Sequence, residues 1–204
     1  MAIRQRKSKP IKRVQDVKRM IAYLEASSSY FGLRNALLFQ LGVTTGYRAG
    51  DLVKLTVGDI KEAITSNEFV IMEGKKENSK NIRKKNMKPR RVVLRPKLKS
   101  KLKKYINDME DYEYIFKSNK GNGHIEVDSV SRILREAGRF LGLYGTSSHC
   151  MRKTYAYKIY IESGRDALVV KEMLGHSSIE ETKLYLDLDL DDYDEYSRGL
   201  DEFL

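Results

Sequence analysis

Apolar residues recur along this chain more often at helical spacing than at strand spacing. Val14, Val17, Ile21 and Leu24 share one face of a predicted helix, which Ser27, Ser28 and Ser29 break. A second helix is predicted over 30–43, with Leu33, Ala36, Leu37 and Leu41 inward. Thr44, Thr45 and Gly46 read as a turn, followed by a short helix over 48–55. Strand signals appear at 59–64, 69–72 and 91–94, with a long polar loop over 75–88 before the last. Pro96, suited to a first helical turn, opens a helix that runs to about Met109. A short strand is expected at 114–116 and a loop at 118–123. Helices are predicted at 127–141, 149–163, 165–174, 179–186 and roughly 191–200. The pattern contains no internal repeat. It describes an α+β fold, mainly α, in which a small antiparallel β-sheet packs against helices.

Composition narrows the class. The chain has 204 residues, 41% hydrophobic and 33% charged, which suits one domain with an appendage and excludes global disorder. The strongest apolar run, over 36–43, is interrupted by Gln40 and falls far short of the ~20 residues of a membrane span. The basic start lacks the apolar segment of a secretory signal. Cys150 is the single cysteine, so no intrachain disulfide forms, and 3 histidines argue against a structural zinc site. The default expectation is a reducing, cytoplasmic compartment, with no membrane, metal or cofactor.

Charge adds the first functional clue. Lys and Arg total 39 against 28 Asp and Glu, a formal net charge of +11. Residues 75–104 hold 15 basic residues and one acid, Glu77. Residues 1–13 read as a flexible basic arm. Residues 180–204 reverse the sign, with ten acids and two bases. So dense a basic segment repels itself unless something anionic lies against it, which points to a polyanion, above all double-stranded DNA.

Three local patterns carry candidate chemistry. The first runs Thr45-Gly46-Tyr47-Arg48-Ala49-Gly50-Asp51, a glycine turn leading into a helix with an arginine at its start. The second is His149-Cys150-Met151-Arg152, an H-x-x-R whose spacing puts His149 and Arg152 on one helical face. The third is Leu174-Gly175-His176-Ser177-Ser178, with Tyr185 nine residues after His176. Each has a bland reading. Ser177 or Ser178 serves as an ordinary cap of the next helix. Most of the 13 tyrosines are packing or surface residues, Tyr155, Tyr157 and Tyr160 among them. Cys150 reads as packing and His124 as a loop histidine.

Taken together and in this order, the patterns resemble the tyrosine recombinases, or phage-type integrases, whose catalytic domain carries a TG-x-R turn, a distant H-x-x-R, an LGH-S motif and a tyrosine one short helix later. The resemblance covers residues 14–186 and implies that family's catalytic domain. It also implies a lysine after the second strand; Lys76 is favoured, with Lys75 beside it as the alternative. Asp51 stands where the family commonly has glutamate and keeps the carboxylate. Too few residues precede Arg48 for the family's amino-terminal DNA clamp, so the chain resembles the short, invertase-like members; a piece of a longer protein fits equally.

The resemblance implies metal-free and ATP-free strand transfer. Tyr185 would attack the scissile phosphate to give a 3′-phosphotyrosine. Arg48 and Arg152 would grip its non-bridging oxygens, a task suited to the planar guanidinium. His149 would take the tyrosine proton or orient the phosphate, Lys76 would protonate the leaving 5′ oxygen, and His176 would donate to the transition state. The expected acting form is a homo-oligomer, a dimer on a site and a tetramer at synapsis, with accessory DNA-bending factors possible. The acidic tail over 187–204 would dock on a neighbouring subunit or fold back on its own domain. Tyr193 and Tyr196 are rival nucleophiles by residue type. The rival functions are a non-catalytic DNA-binding regulator and a type IB topoisomerase-like enzyme.

Overall fold

The computed structural model describes residues 8–27, 31–71 and 89–186. Lys75, Lys76, the polar loop over 75–88, the tail over 187–204 and the helix expected at 191–200 lie outside the described residues.

Helix α1 (Val14–Ala26) buries Met20 and Leu24, while Val14, expected inward, is exposed at the helix start. It packs on α2 (Gly32–Thr45), the central helix, whose Ala36, Leu37, Leu38, Phe39 and Leu41 are all buried. Leu33, also expected inward, lies in the first turn of α2 and is exposed. Gly46 ends α2 in the left-handed conformation at φ 64°, a conformation that glycine adopts without steric cost. The short α3 (Ala49–Leu52) follows.

The strand expected at 59–64 is instead helix α4 (Val57–Ser66). Its buried residues are Val57, Ile60 and Ala63, three apart as on a helical face. A capping box fixes its start: the Thr56 hydroxyl accepts from Asp59 N at 3.2 Å, and the Asp59 carboxylate accepts from Thr56 N at 2.8 Å. Those two reciprocal bonds override the β-branched character that suggested a strand.

Strands β1 (Glu68–Ile71) and β2 (Arg90–Val93) pair antiparallel, with Glu68 opposite Val93 and Ile71 opposite Arg90. Among the described residues the sheet has these two strands. The strand expected at 114–116 is a single bridge between Thr56 and Tyr114. Helix α5 (Pro96–Tyr105) starts at its proline as expected, buries Leu98 and Leu102, and turns Lys97, Lys101, Lys103 and Lys104 to solvent.

Helix α6 (Val127–Phe140) is strongly two-faced: Val130, Leu134 and Ala137 are buried, whereas Arg132, Arg135 and Arg139 are exposed. It packs on α7 (Ser148–Glu162), which joins two cores. Cys150 and Met151 of α7 belong to the main core with α1–α6. Tyr155, Ala156 and Tyr160 belong to a smaller one with Val170, Leu174 and Leu186, from α8 (Ala167–Leu174) and α9 (Ile179–Leu186).

The segment expected as a flexible arm is fastened from Ser8 onward. Lys9 N donates to Gly145 O and Ile11 N to the Thr154 hydroxyl, each at 2.9 Å. Pro10 and Ile11 are buried, which accounts for the order of this stretch despite its charge. Among the described residues no helix is long and apolar enough to cross a membrane.

Candidate active site

Two helices end alike and converge. The α2 helix stops at left-handed Gly46, two residues before Arg48; α8 stops at left-handed Gly175, one residue before His176. The last carbonyls of a helix lack intrahelical donors and carry the negative end of its dipole. Arg152, on α7 between the two cores, answers both ends. Its Nη1 donates to Gly46 O at 2.7 Å and its Nη2 to Leu174 O at 2.8 Å. It is 1% exposed, the largest of the fully buried side chains. Burying a guanidinium costs free energy that these two carbonyls and the converging helix ends offset.

Tyr185 lies half-buried on α9 beside this arginine. Its ring centroid is 5.9 Å from the Arg152 guanidinium carbon, 5.9 Å from the Lys153 ammonium and 4.7 Å from the His176 ring. His176 is itself buried, and its Nδ1 is 3.0 Å from the Thr182 hydroxyl on α9. The Thr182 hydroxyl also lies 3.4 Å from Ser178 O, so it ties His176 to the start of α9, and Nε2 is 3.9 Å from the Glu181 carboxylate. Ser178 caps α9 by accepting from Glu181 N at 3.2 Å, as the bland reading expected; the capping and the placement of His176 belong to one turn.

Arg48 stands half-buried at the start of α3, where its carbonyl accepts from Asp51 N and Leu52 N, both at 3.0 Å. The bond from Arg152 to Gly46 O ties the Arg48 turn to the rest of the constellation. His149 lies exposed in the otherwise buried first turn of α7, one helical turn from Arg152. It lines an open cleft of about 680 Å³ with Ser131, Arg135, Arg139 and Tyr144. Thus Arg152, His176 and Tyr185 meet directly, Arg48 is held to them through its turn, and His149 lies at the surface end of the same helix. Lys76, the sixth expected residue, lies outside the described residues. Cys150, beside His149 in sequence, is fully buried, and desolvation pushes its thiol up to about 12; it packs and takes no part.

One residue escaped the sequence reading. Arg90, among the fifteen basic residues of 75–104, is buried at the same junction rather than exposed with its neighbours. Among the described residues no group of three or more His, Cys, Asp or Glu is placed to hold a metal ion.

The model of the phage integrase family matches residues 13–191. A probable integrase/recombinase, YoeC, of Bacillus subtilis is 28% identical over 184 residues, covering 89% of this chain and 91% of that protein. The tyrosine recombinase XerD of Rickettsia bellii is 28% identical over 200 residues, covering 90% of this chain and 61% of that protein. The chain thus spans nearly all of YoeC but less than two thirds of XerD. Among solved structures, the XerA recombinase superposes with a TM-score of 0.68 at 22% identity, over 95% of this chain and 64% of that one. The XerH site-specific recombinase bound to its difH substrate superposes at 0.62 and 21%, over 94% and 55%. At these identities the structures establish the shared fold.

Proposed function

We infer that this chain, which belongs to the phage integrase family, is a site-specific tyrosine recombinase that cuts and rejoins DNA strands without metal or ATP. The observation that carries the reading is the meeting of Tyr185 with His176 and Arg152, the rings 4.7 Å apart and the guanidinium carbon 5.9 Å from the phenol ring.

In the proposed reaction the Tyr185 hydroxyl attacks the scissile phosphorus. A phosphorus–oxygen bond forms to the tyrosine as the bond to the 5′ oxygen breaks, leaving a 3′-phosphotyrosine and a free 5′ hydroxyl. The phenol proton passes to His149 or to solvent, and the leaving oxygen takes a proton from Lys76. Charge gathers on the non-bridging oxygens, where Arg48 and Arg152 offer planar donors, that of Arg152 already fixed by two carbonyls. Losing one such donor costs about 3–4 kcal/mol of barrier. His176, its ring held by Thr182, donates a hydrogen bond to the transition state. Because the phosphotyrosine keeps the diester's free energy, attack by another strand's 5′ hydroxyl reverses the step and seals the new junction.

The DNA surface of this reading comprises Arg132, Arg135 and Arg139 on α6, the lysines of α5 and the cleft at His149. That structures of similar fold include XerH bound to difH substrate and the Tn1549 transposon integrase in complex with circular intermediate DNA supports DNA as the partner. The acting form is taken as a dimer on each site and a tetramer at synapsis, with residues 187–204 docking between subunits, in the cytoplasm. The proposed domain division is a catalytic body over 14–186 with the acidic tail over 187–204 after it; the family match over 13–191 overlaps that body.

The test begins by selecting a bound site from a randomised duplex pool with the Tyr185→Phe protein, then placing a nick in that site to trap cleavage. Wild type should give an SDS-resistant protein–DNA adduct, and Tyr185→Phe should bind equally but give none. A protein that binds the selected site and never forms an adduct would be a DNA-binding regulator instead.

A further inference from the structure

Arg90 repeats, one residue upstream in each turn, what Arg152 does. Its Nε donates to Met173 O at 2.6 Å, and its Nη2 donates to Thr45 O. Met173 is three residues before His176 and Thr45 three before Arg48; the Arg152 acceptors, Leu174 and Gly46, are each two before. Two guanidiniums therefore bridge the same pair of helix ends in parallel. Each end presents carbonyls without intrahelical donors, and their like poles face one another. One cation can hold two such ends at a fixed distance yet leave them free to rock about it. A second, parallel bridge removes the rocking.

Arg90 is itself held. Its guanidinium carbon lies 4.6 Å from the Tyr47 ring centroid and 5.4 Å from that of Tyr155. The Tyr47 hydroxyl donates to Arg90 O at 2.6 Å and lies 3.2 Å from Phe69 O, so the residue between Gly46 and Arg48 also touches both strands. At 9% exposure the Arg90 side chain is turned away from the surface on which its basic neighbours Arg91, Arg95 and Lys97 stand. A phosphate on that surface meets those neighbours and not Arg90.

We propose that Arg90 is a positioning residue for strand cleavage: by bridging Thr45 and Met173 it fixes the turn that carries Arg48 against the turn that carries His176. The proposal rests on the reading of the site given above. It assigns Arg90 to the chemical step and not to DNA affinity, although it sits in the most basic stretch of the chain.

The experiment uses the full chain and the nicked, selected DNA site, and reads single-turnover cleavage against DNA concentration for wild type, Arg90→Lys, Arg90→Met and a destabilised control, Leu24→Ala. Lysine keeps the charge but loses the planar fork that reaches two carbonyls. Arg90→Lys should cleave about 100-fold more slowly at saturating DNA, as a small misplacement of reacting groups does, with half-saturation within about threefold of wild type. The log–log dependence of its binding on salt should keep the wild-type slope, since no phosphate contact is lost. Arg90→Met should be slower still. Leu24→Ala, whose side chain lies in the α1–α2 core, should lose thermal stability and keep the saturated rate well below its melting temperature. Three results would overturn the proposal: Arg90→Lys cleaving at the wild-type rate; a salt slope reduced by about one with the saturated rate intact, which marks a phosphate contact; or Leu24→Ala losing cleavage in step with its stability. A wild-type protein that binds and forms no adduct overturns the recombinase reading itself, whereas a wild-type adduct with an unaffected Arg90→Lys overturns only the role of Arg90.

Discussion

Cys150 and Arg152 sit two residues apart on α7, and both are buried, for opposite reasons. Arg152 keeps its charge inside because two helix ends supply carbonyls at 2.7 and 2.8 Å. A guanidinium has five N–H donors in a rigid fork, so holding two carbonyls is compatible with gripping an anion. For Cys150, desolvation outweighs a backbone hydrogen bond at Ser147 that favours the thiolate, and raises its pKa from 9.0 to about 12. The linkage has a definite sign. In the unfolded chain the thiol loses its proton near pH 9, whereas in the folded chain it keeps it until about 12. The stabilisation from burying the neutral thiol is therefore complete below about pH 9 and declines as pH rises from there to about 12. Melting temperatures of wild type and Cys150→Ala, measured from pH 8 to pH 11, should draw together in the alkaline part of that range. Parallel curves would show that the thiol does not contribute. The other alkaline titrations are common to both proteins and cancel in the comparison.

At the scale of elements, α4 shows what a local pattern hides. Residues 59–64 read as a strand by composition, yet Thr56 and Asp59 form a capping box and Val57, Ile60 and Ala63 share a helical face. Thr56→Ala should lower the unfolding free energy by about 1 kcal/mol, measured by urea titration, without changing cleavage at saturating DNA. An unchanged midpoint would mean that the α4 start is held by tertiary contacts alone. The helices α1, α2, α5, α6 and α9 were legible because their apolar positions keep a helical period and because Pro96 and Gly46 punctuate the chain. Leu33 and Val14 obey the same period and are exposed nonetheless, since periodicity says nothing of where the covering element stops. The candidate site was legible as residue types in order, but not its construction. Arg90 could not be told from the other fourteen basic residues of 75–104, because what distinguishes it is burial between two helix ends that are far apart in sequence. A signal was nonetheless present: Arg90 immediately precedes Arg91 in a short strand, where alternation puts one of the two side chains inward. The segment over 8–13 departs from the flexible-arm expectation for a related reason: despite its charge, Pro10 and Ile11 are buried and anchor it to α7.

For the whole molecule, charge and chemistry are laid out separately. The exposed cations of the proposed DNA surface stand on α5 and α6, while Arg152 at the reacting centre is buried. Affinity and cleavage should accordingly respond to different changes. Binding to the selected site should fall with salt at a log–log slope of about −0.9 per phosphate neutralised, and replacing Arg132, Arg135 or Arg139 singly by Gln should reduce that slope by about one. A slope near zero would contradict the proposed DNA surface. The central claim is that the phenol of Tyr185 is the nucleophile. The most direct measurement is mass spectrometry of the proteolysed covalent adduct formed on the nicked site. The account predicts a nucleotide-bearing peptide in which the modified residue is Tyr185, joined through a 3′ phosphate. A modification on Tyr193, on Tyr196 or on any residue other than Tyr185 would contradict it.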